Sequence, residues 1–119
     1  MHPIFTSRGD TAAVLHGRNI FNLLGEWIGW IDERGQVYSL VGEYVGWITR
    51  DPRILRKRVS DSRPIRRTPP PHPGRIRVAA TFPLPPMMSD LTFDTVDVLD
   101  EMPELLHTAD FDQNAQDMD

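Results

Sequence analysis

The side chains in this 119-residue chain with the means to do chemistry are four histidines, three acids that each follow a glycine, and a repeating set of aromatic rings. His2, His16, His72 and His107 stand at spacings that form no metal-binding pair, and none falls in a nucleophile or phosphate-loop motif. His16 precedes Gly17 and reads as an exposed turn residue. Asp10, Glu26 and Glu43 each follow a glycine at equivalent positions, and recurrence at every turn argues for turn geometry and solubility over acid-base work. The sequence contains no cysteine, which removes disulfide frameworks, thiolate zinc sites and cysteine nucleophiles together. The expectation is a protein without catalytic residues, metal or cofactor.

The aromatics carry two readings. Trp27, Trp30, Tyr44 and Trp47, with basic residues nearby, can serve as stacking platforms for single-stranded nucleic acid. Their repeat-locked spacing favours the other reading, core or oligomer interface, since large rings supply much of the burial a small domain needs.

Charge is segregated along the chain. Residues 50–77 hold ten of the thirteen Lys and Arg residues, whereas residues 90–119 hold ten acids and no Lys or Arg. Such blocks attract one another within the chain or address separate partners. The basic block runs into Pro69-Pro70-Pro71 and Pro73-Gly74, a polyproline-like composition. Three readings stand open for it: a solvated linker; an arm that binds RNA or DNA phosphates through Arg56, Lys57, Arg58, Arg63, Arg66 and Arg67; and a ligand for an aromatic-lined groove on a protein. Beyond Ser89, an expected N-cap, Leu91, Thr95, Val98, Leu99 and Met102 recur at helical spacing among Asp94, Asp97, Asp100 and Glu101. This predicts a short acidic amphipathic helix stopped by Pro103. It is too short to be stable alone, so it is expected to order by docking on its own domain or on a partner. Leu91, Phe93, Val98, Leu99, Met102 and Leu105 are the candidate protein-binding residues.

The elements that must position these groups come from a repeat. Ile4-Phe5 up to Leu15, Ile20-Phe21 up to Ile31 and Val37-Tyr38 up to Ile48 align at offsets of 16 and then 17 residues. Each unit has an aliphatic-aromatic pair, three residues, a glycine and an acid, then a second apolar run, which reads as strand, turn, strand. The connections His16-Gly17-Arg18-Asn19, Glu33-Arg34-Gly35 and Arg50-Asp51-Pro52 are polar and turn-rich, so the units form an antiparallel meander. Strand alternation places Ile28 with Trp30, and Val45 with Trp47, on one face, and turns Trp27 and Tyr44 to the other beside Gly29 and Gly46. Both faces are apolar, so the sheet is either closed around a core and covered outside, or associated with another copy. The two glycines leave room for a ring or a crossing strand.

The repeat Ile20-Phe21-Asn22-Leu23-Leu24-Gly25-Glu26-Trp27-Ile28-Gly29-Trp30-Ile31, returning as Val37-Tyr38-Ser39-Leu40-Val41-Gly42-Glu43-Tyr44-Val45-Gly46-Trp47-Ile48, resembles the bacterial four-fold β-flower domain. That resemblance implies four hairpin petals about a pseudo-fourfold axis and carries across no catalytic residue. The fourth petal starts at Ile54-Leu55, but Arg56-Lys57-Arg58-Val59 stands where the apolar run and glycine are expected. Residues 54–59 themselves, or residues 75–82 folding back with Ile76 and Val78 in alternation, are the two routes to its completion.

The fold class expected is therefore all-β: a small antiparallel hairpin-repeat domain over residues 1–59, a basic proline-rich linker over 60–87 that can lend a strand, and an acidic segment over 88–119 with a short helix. A core drawn from so few residues gains from oligomerisation. No leader-like start and no apolar run of membrane-spanning length is seen, which predicts a soluble, cytoplasmic protein. The functional expectation is a non-enzymatic adaptor that engages a protein partner through its tail, with nucleic-acid association through the Arg/Pro-rich segment as the alternative.

Overall fold

The computed structural model describes residues 1–59 and 66–109. Eight strands, β1 (His2–Phe5), β2 (Thr11–His16), β3 (Asn19–Phe21), β4 (Trp27–Ile31), β5 (Gln36–Ser39), β6 (Tyr44–Ile48), β7 (Ile54–Lys57) and β8 (Thr95–Asp97), form one antiparallel sheet in chain order. A four-residue helix α1 (Val98–Glu101) and a 3₁₀ turn (Pro103–Leu105) follow.

The first three hairpins share one register. Phe5 faces Thr11, Phe21 faces Trp27 and Tyr38 faces Tyr44, while the preceding Ile4, Ile20 and Val37 face Ala13, Gly29 and Gly46. One residue in each hairpin, Ala12, Ile28 or Val45, is therefore an extra residue in its strand, a β-bulge repeated at the same place. The bulge overturns the expected faces. Ile28 and Val45 enter a central cluster with Ile4, Ala13, Ile20, Val37 and Ile54, whereas Trp27 and Trp30 join Val14, Phe21 and Tyr38 in a second cluster on the other side. Inserting one residue flips every side chain beyond it, which simple alternation does not foresee. At Gly29 and Gly46 the close approach is made by the backbone of the neighbouring strand: a Cβ would lie 2.7 Å from the Tyr38 carbonyl oxygen and 2.0 Å from that of Leu55.

The fourth hairpin takes neither expected route. β7 pairs with β8, Leu55 facing Asp97 and Lys57 facing Thr95, so the missing strand comes from the acidic segment, and no strand forms over residues 75–82. The helix expected to start beyond Ser89 is correspondingly shorter. Asp97, not Ser89, is its N-cap, accepting from the Asp100 N–H, and Pro103 follows one residue after its C-cap position. Thr95 and Val96 are β-branched and meet an open sheet edge at β7, where strand pairing satisfies more backbone than a frayed first helical turn. Val98 and Leu106 then complete the central cluster, with Leu99 and Leu105 packed against it.

Closure between the first and fourth hairpins is made by separate bonds. The Phe5 N–H donates to the Pro52 carbonyl at 2.9 Å, and the Ser7 N–H and hydroxyl both donate to the Asp97 carboxylate, at 2.6 and 2.7 Å. Arg53, almost fully buried, donates to the Ser7 hydroxyl while pairing with Asp51 at 2.7 Å, so its charge is compensated where it is desolvated.

Candidate protein-binding face

The hairpin tips repeat as closely as the strands. In each, the residue after the aliphatic-aromatic pair donates its N–H to the carbonyl of the acid four residues on: Thr6 to Asp10, Asn22 to Glu26 and Ser39 to Glu43, at 2.8 to 2.9 Å. The Asn22 side chain accepts from the Leu24 and Glu26 N–H groups and donates to the Glu26 carboxylate, so this turn acid serves the turn.

The tail passes these tips in reverse order. The Arg67 N–H donates to the Gly42 carbonyl at 2.9 Å, the Ile76 N–H donates to the Gly25 carbonyl at 3.0 Å, and Pro85 lies against Gly9. Successive contacts are nine residues apart in the tail and one petal apart in the repeat. The fit at two of them is close. A Cβ on Gly42 would lie 2.0 Å from the Arg67 carbonyl oxygen, and one on Gly25 would lie 1.9 Å from that of Ile76, besides the positive φ both residues hold. Between contacts, residues 67–92 carry no helix or strand.

This strap covers the second cluster. Ile76, Val78 and Phe82 pack against Val14, Phe21, Trp27, Trp30 and Tyr38. His72 sits edge-on to Trp27 with ring centroids 5.0 Å apart, and Arg75 donates to the Leu24 carbonyl. Trp30 and Tyr38 stack at 4.6 Å and 18°, with the Arg67 guanidinium 5.9 Å above the Tyr38 ring. Arg67 also pairs with buried Asp32 at 3.1 Å. Burial by itself raises the Asp32 pKa, but the N–H groups of Gln36 and Arg34, Arg67 and the Tyr38 hydroxyl outweigh it and leave the carboxyl below its ordinary value. Burial also raises the Tyr44 phenol at the edge of the same cluster.

Three equivalent hairpins in one register, with a fourth completing the curled sheet, are the geometry of a petal repeat, and residues 2–55 match the model of the 4-fold beta flower protein family. Residues 2–55 form a domain of this family. Comparison with curated proteins and with solved structures finds no match.

Within the flower, the acidic-segment candidates divide. Val98 is fully buried, Leu99 and Leu105 pack on the central cluster, Leu91 and Met102 are partly buried, and Phe93 is 91% exposed. The basic candidates face the chain's own oxygens. Arg56 donates to the Tyr44 and Val45 carbonyls, Lys57 pairs with Asp94, Arg58 with Glu101, and Arg66 with Glu43. Arg63 lies outside the described residues. Of the two ways the charge blocks can act, attraction within the chain is the one these pairs display.

The histidines stay apart: His2 and His16 are exposed on the first petal, His72 lies on the strap, and His107 is near the C-terminal turn. Among the described residues no helix is long and apolar enough to cross a membrane. The sequence marked rings of this face, Trp27, Trp30 and Tyr44, as nucleic-acid platforms or as core or oligomer interface, and did not mark the chain's own tail as their cover. The available signal was the alternation of Ile76 and Val78 together with the nine-residue spacing of Arg67, Ile76 and Pro85.

Proposed function

We propose that this β-flower is a non-enzymatic, cytoplasmic protein-binding module whose aromatic face takes an extended, proline-containing peptide segment, with its own tail as the resident occupant. The observation that supports it is the strap itself. A row of rings, Trp27, Trp30 and Tyr38, is covered by proline-rich chain held at each of two tips by one backbone hydrogen bond. Aromatic-lined surfaces favour such segments because an extended proline-rich chain loses little entropy on docking. A partner segment of the same character competes for this face, which makes the tail the element through which binding is controlled. The alternative, nucleic-acid association, has less support: Arg56, Lys57, Arg58, Arg66 and Arg67 already engage acceptors of the chain.

The test uses a fluorescent peptide with the sequence of residues 66–85, added to the full-length protein and to its Ile76→Asp variant. Ile76→Asp places a charge against the second cluster and loosens the resident strap. Binding in the variant at least several-fold tighter than in the original protein is expected; no binding to either removes the proposal. A single-stranded oligonucleotide run in parallel decides the alternative, which requires affinity that falls steeply as salt rises.

A further inference from the structure

The pseudo-symmetry of the petals breaks at one aromatic pair. Trp30 carries the Tyr38 ring stacked on it, but 17 residues on, the equivalent pair is Trp47 and Leu55. Among the described residues no aromatic ring contacts Trp47. Trp47 and Leu55 instead line a cleft of about 350 Å³, bounded on one side by the turn carrying Arg50, Asp51 and Arg53 and on the other by the tail at Asp90. The volume lies at the lower end of the range for small-molecule sites and suits a ligand with a single ring.

The charges at this cleft are of two kinds. Arg53 and Asp51 neutralise each other in a pair with two hydrogen bonds. Arg50 and Asp90 are exposed, and among the described residues neither enters an ion pair. The part-buried Trp47 indole therefore shares this cleft with one uncommitted cation and one uncommitted anion.

We propose that this cleft binds a small zwitterionic aromatic molecule, of the class of a free aromatic amino acid, with its ring against the Trp47 indole, its carboxylate toward Arg50 and its ammonium toward Asp90. The site is separate from the face covered by the strap and does not rest on the peptide-binding reading. Stacking on the indole supplies the affinity, and the two charges select for the zwitterion.

The test is a titration of the ¹⁵N-labelled full-length protein with phenylalanine, read at the Trp47 indole N–H, which is assigned by its loss in Trp47→Phe. A saturable shift at Trp47 is expected, with glycine and benzyl alcohol each binding several-fold more weakly because one lacks the ring and the other the charges. Arg50→Ala and Asp90→Ala are each expected to weaken phenylalanine binding by about two- to fivefold, the range for exposed charge contacts. Both side chains are exposed, so unmoved Trp27 and Trp30 signals confirm that these variants keep the fold. Absence of a saturable shift at Trp47 overturns the proposal, as does benzyl alcohol binding equal to phenylalanine with both variants unaffected.

Discussion

The third and fourth petals solve one problem in opposite ways. In the third, the strand ending at Ser39 is returned at once by a tight turn, and Ser39 and Glu43 are joined by a backbone hydrogen bond. In the fourth, β7 ends at Lys57 and its partner β8 begins only at Thr95, after the chain has passed the other three tips. A local turn brings its strands together at little cost in loop closure. The long excursion costs only slowly more with length and recovers that cost through contacts made along the way. The strap is thus both the connection that permits the fourth petal and the cover for the second apolar cluster. The comparison teaches that a petal can be delegated to distant chain, provided the intervening segment is itself docked.

The strongest attempt to break this equivalence is Val98→Asp. Val98 is fully buried in the central cluster, so a charge there should destabilise the protein by about 4 kcal/mol or more. If the fourth petal is as integral as the third, thermal unfolding followed by tryptophan fluorescence and by circular dichroism falls together to a lower midpoint. Loss of the β8 amide protections alone, with the first three hairpins intact, would show instead that the fourth petal is an appendage.

A smaller effect is expected at the tip of the third petal. Gly42→Ala brings a methyl group into the Arg67 carbonyl at a residue with positive φ, for which about 1–3 kcal/mol is expected. The strap is predicted to give way before the hairpin does, read as faster proteolysis within residues 66–85 while the amides of β5 and β6 stay protected. Equal protection of strap and hairpin would mean the tip glycine is needed by the turn alone.

The smallest effect concerns pH. The Thr92 hydroxyl and Lys57 hold the Asp94 carboxyl at about 2, below its ordinary 3.8. A pKa lower in the folded than in the unfolded chain contributes stability that is present above pH 3.8 and is lost as pH falls toward 2. Asp94 is exposed, so the expected signature is local: hydrogen exchange at the β7–β8 ladder rising between pH 4 and 2, reduced in Lys57→Ala. Exchange that rises equally in all four petals contradicts the assignment.

Much of the first three petals was legible because each is a local unit. The aliphatic-aromatic pair, the turn glycine and the acid recur at fixed spacing, and neighbours in sequence are neighbours in the sheet. The faces of Ile28 and Trp30 were not legible, because one bulged residue inverts alternation and nothing in the composition of β4 marks it. The acidic segment misled for a related reason. Thr95, Val98, Leu99 and Met102 lie at helical spacing, yet Thr95 is in a strand, because the edge of β7 offers pairing that the segment's own periodicity cannot register.

By itself, then, the sequence determined the petal: its length, its turn and the apolar character of both faces, all consequences of interactions a few residues apart. It also determined the separation of charge that the ion pairs of Lys57 with Asp94 and Arg58 with Glu101 join across the fold. Only the tertiary structure decided which strand completes the fourth petal, what covers the outer rings, and which tryptophan lines a cleft with Arg50 and Asp90. Those outcomes depend on which of several apolar segments reaches which exposed edge, and that competition is settled by contacts between residues far apart in the chain, which no local pattern encodes.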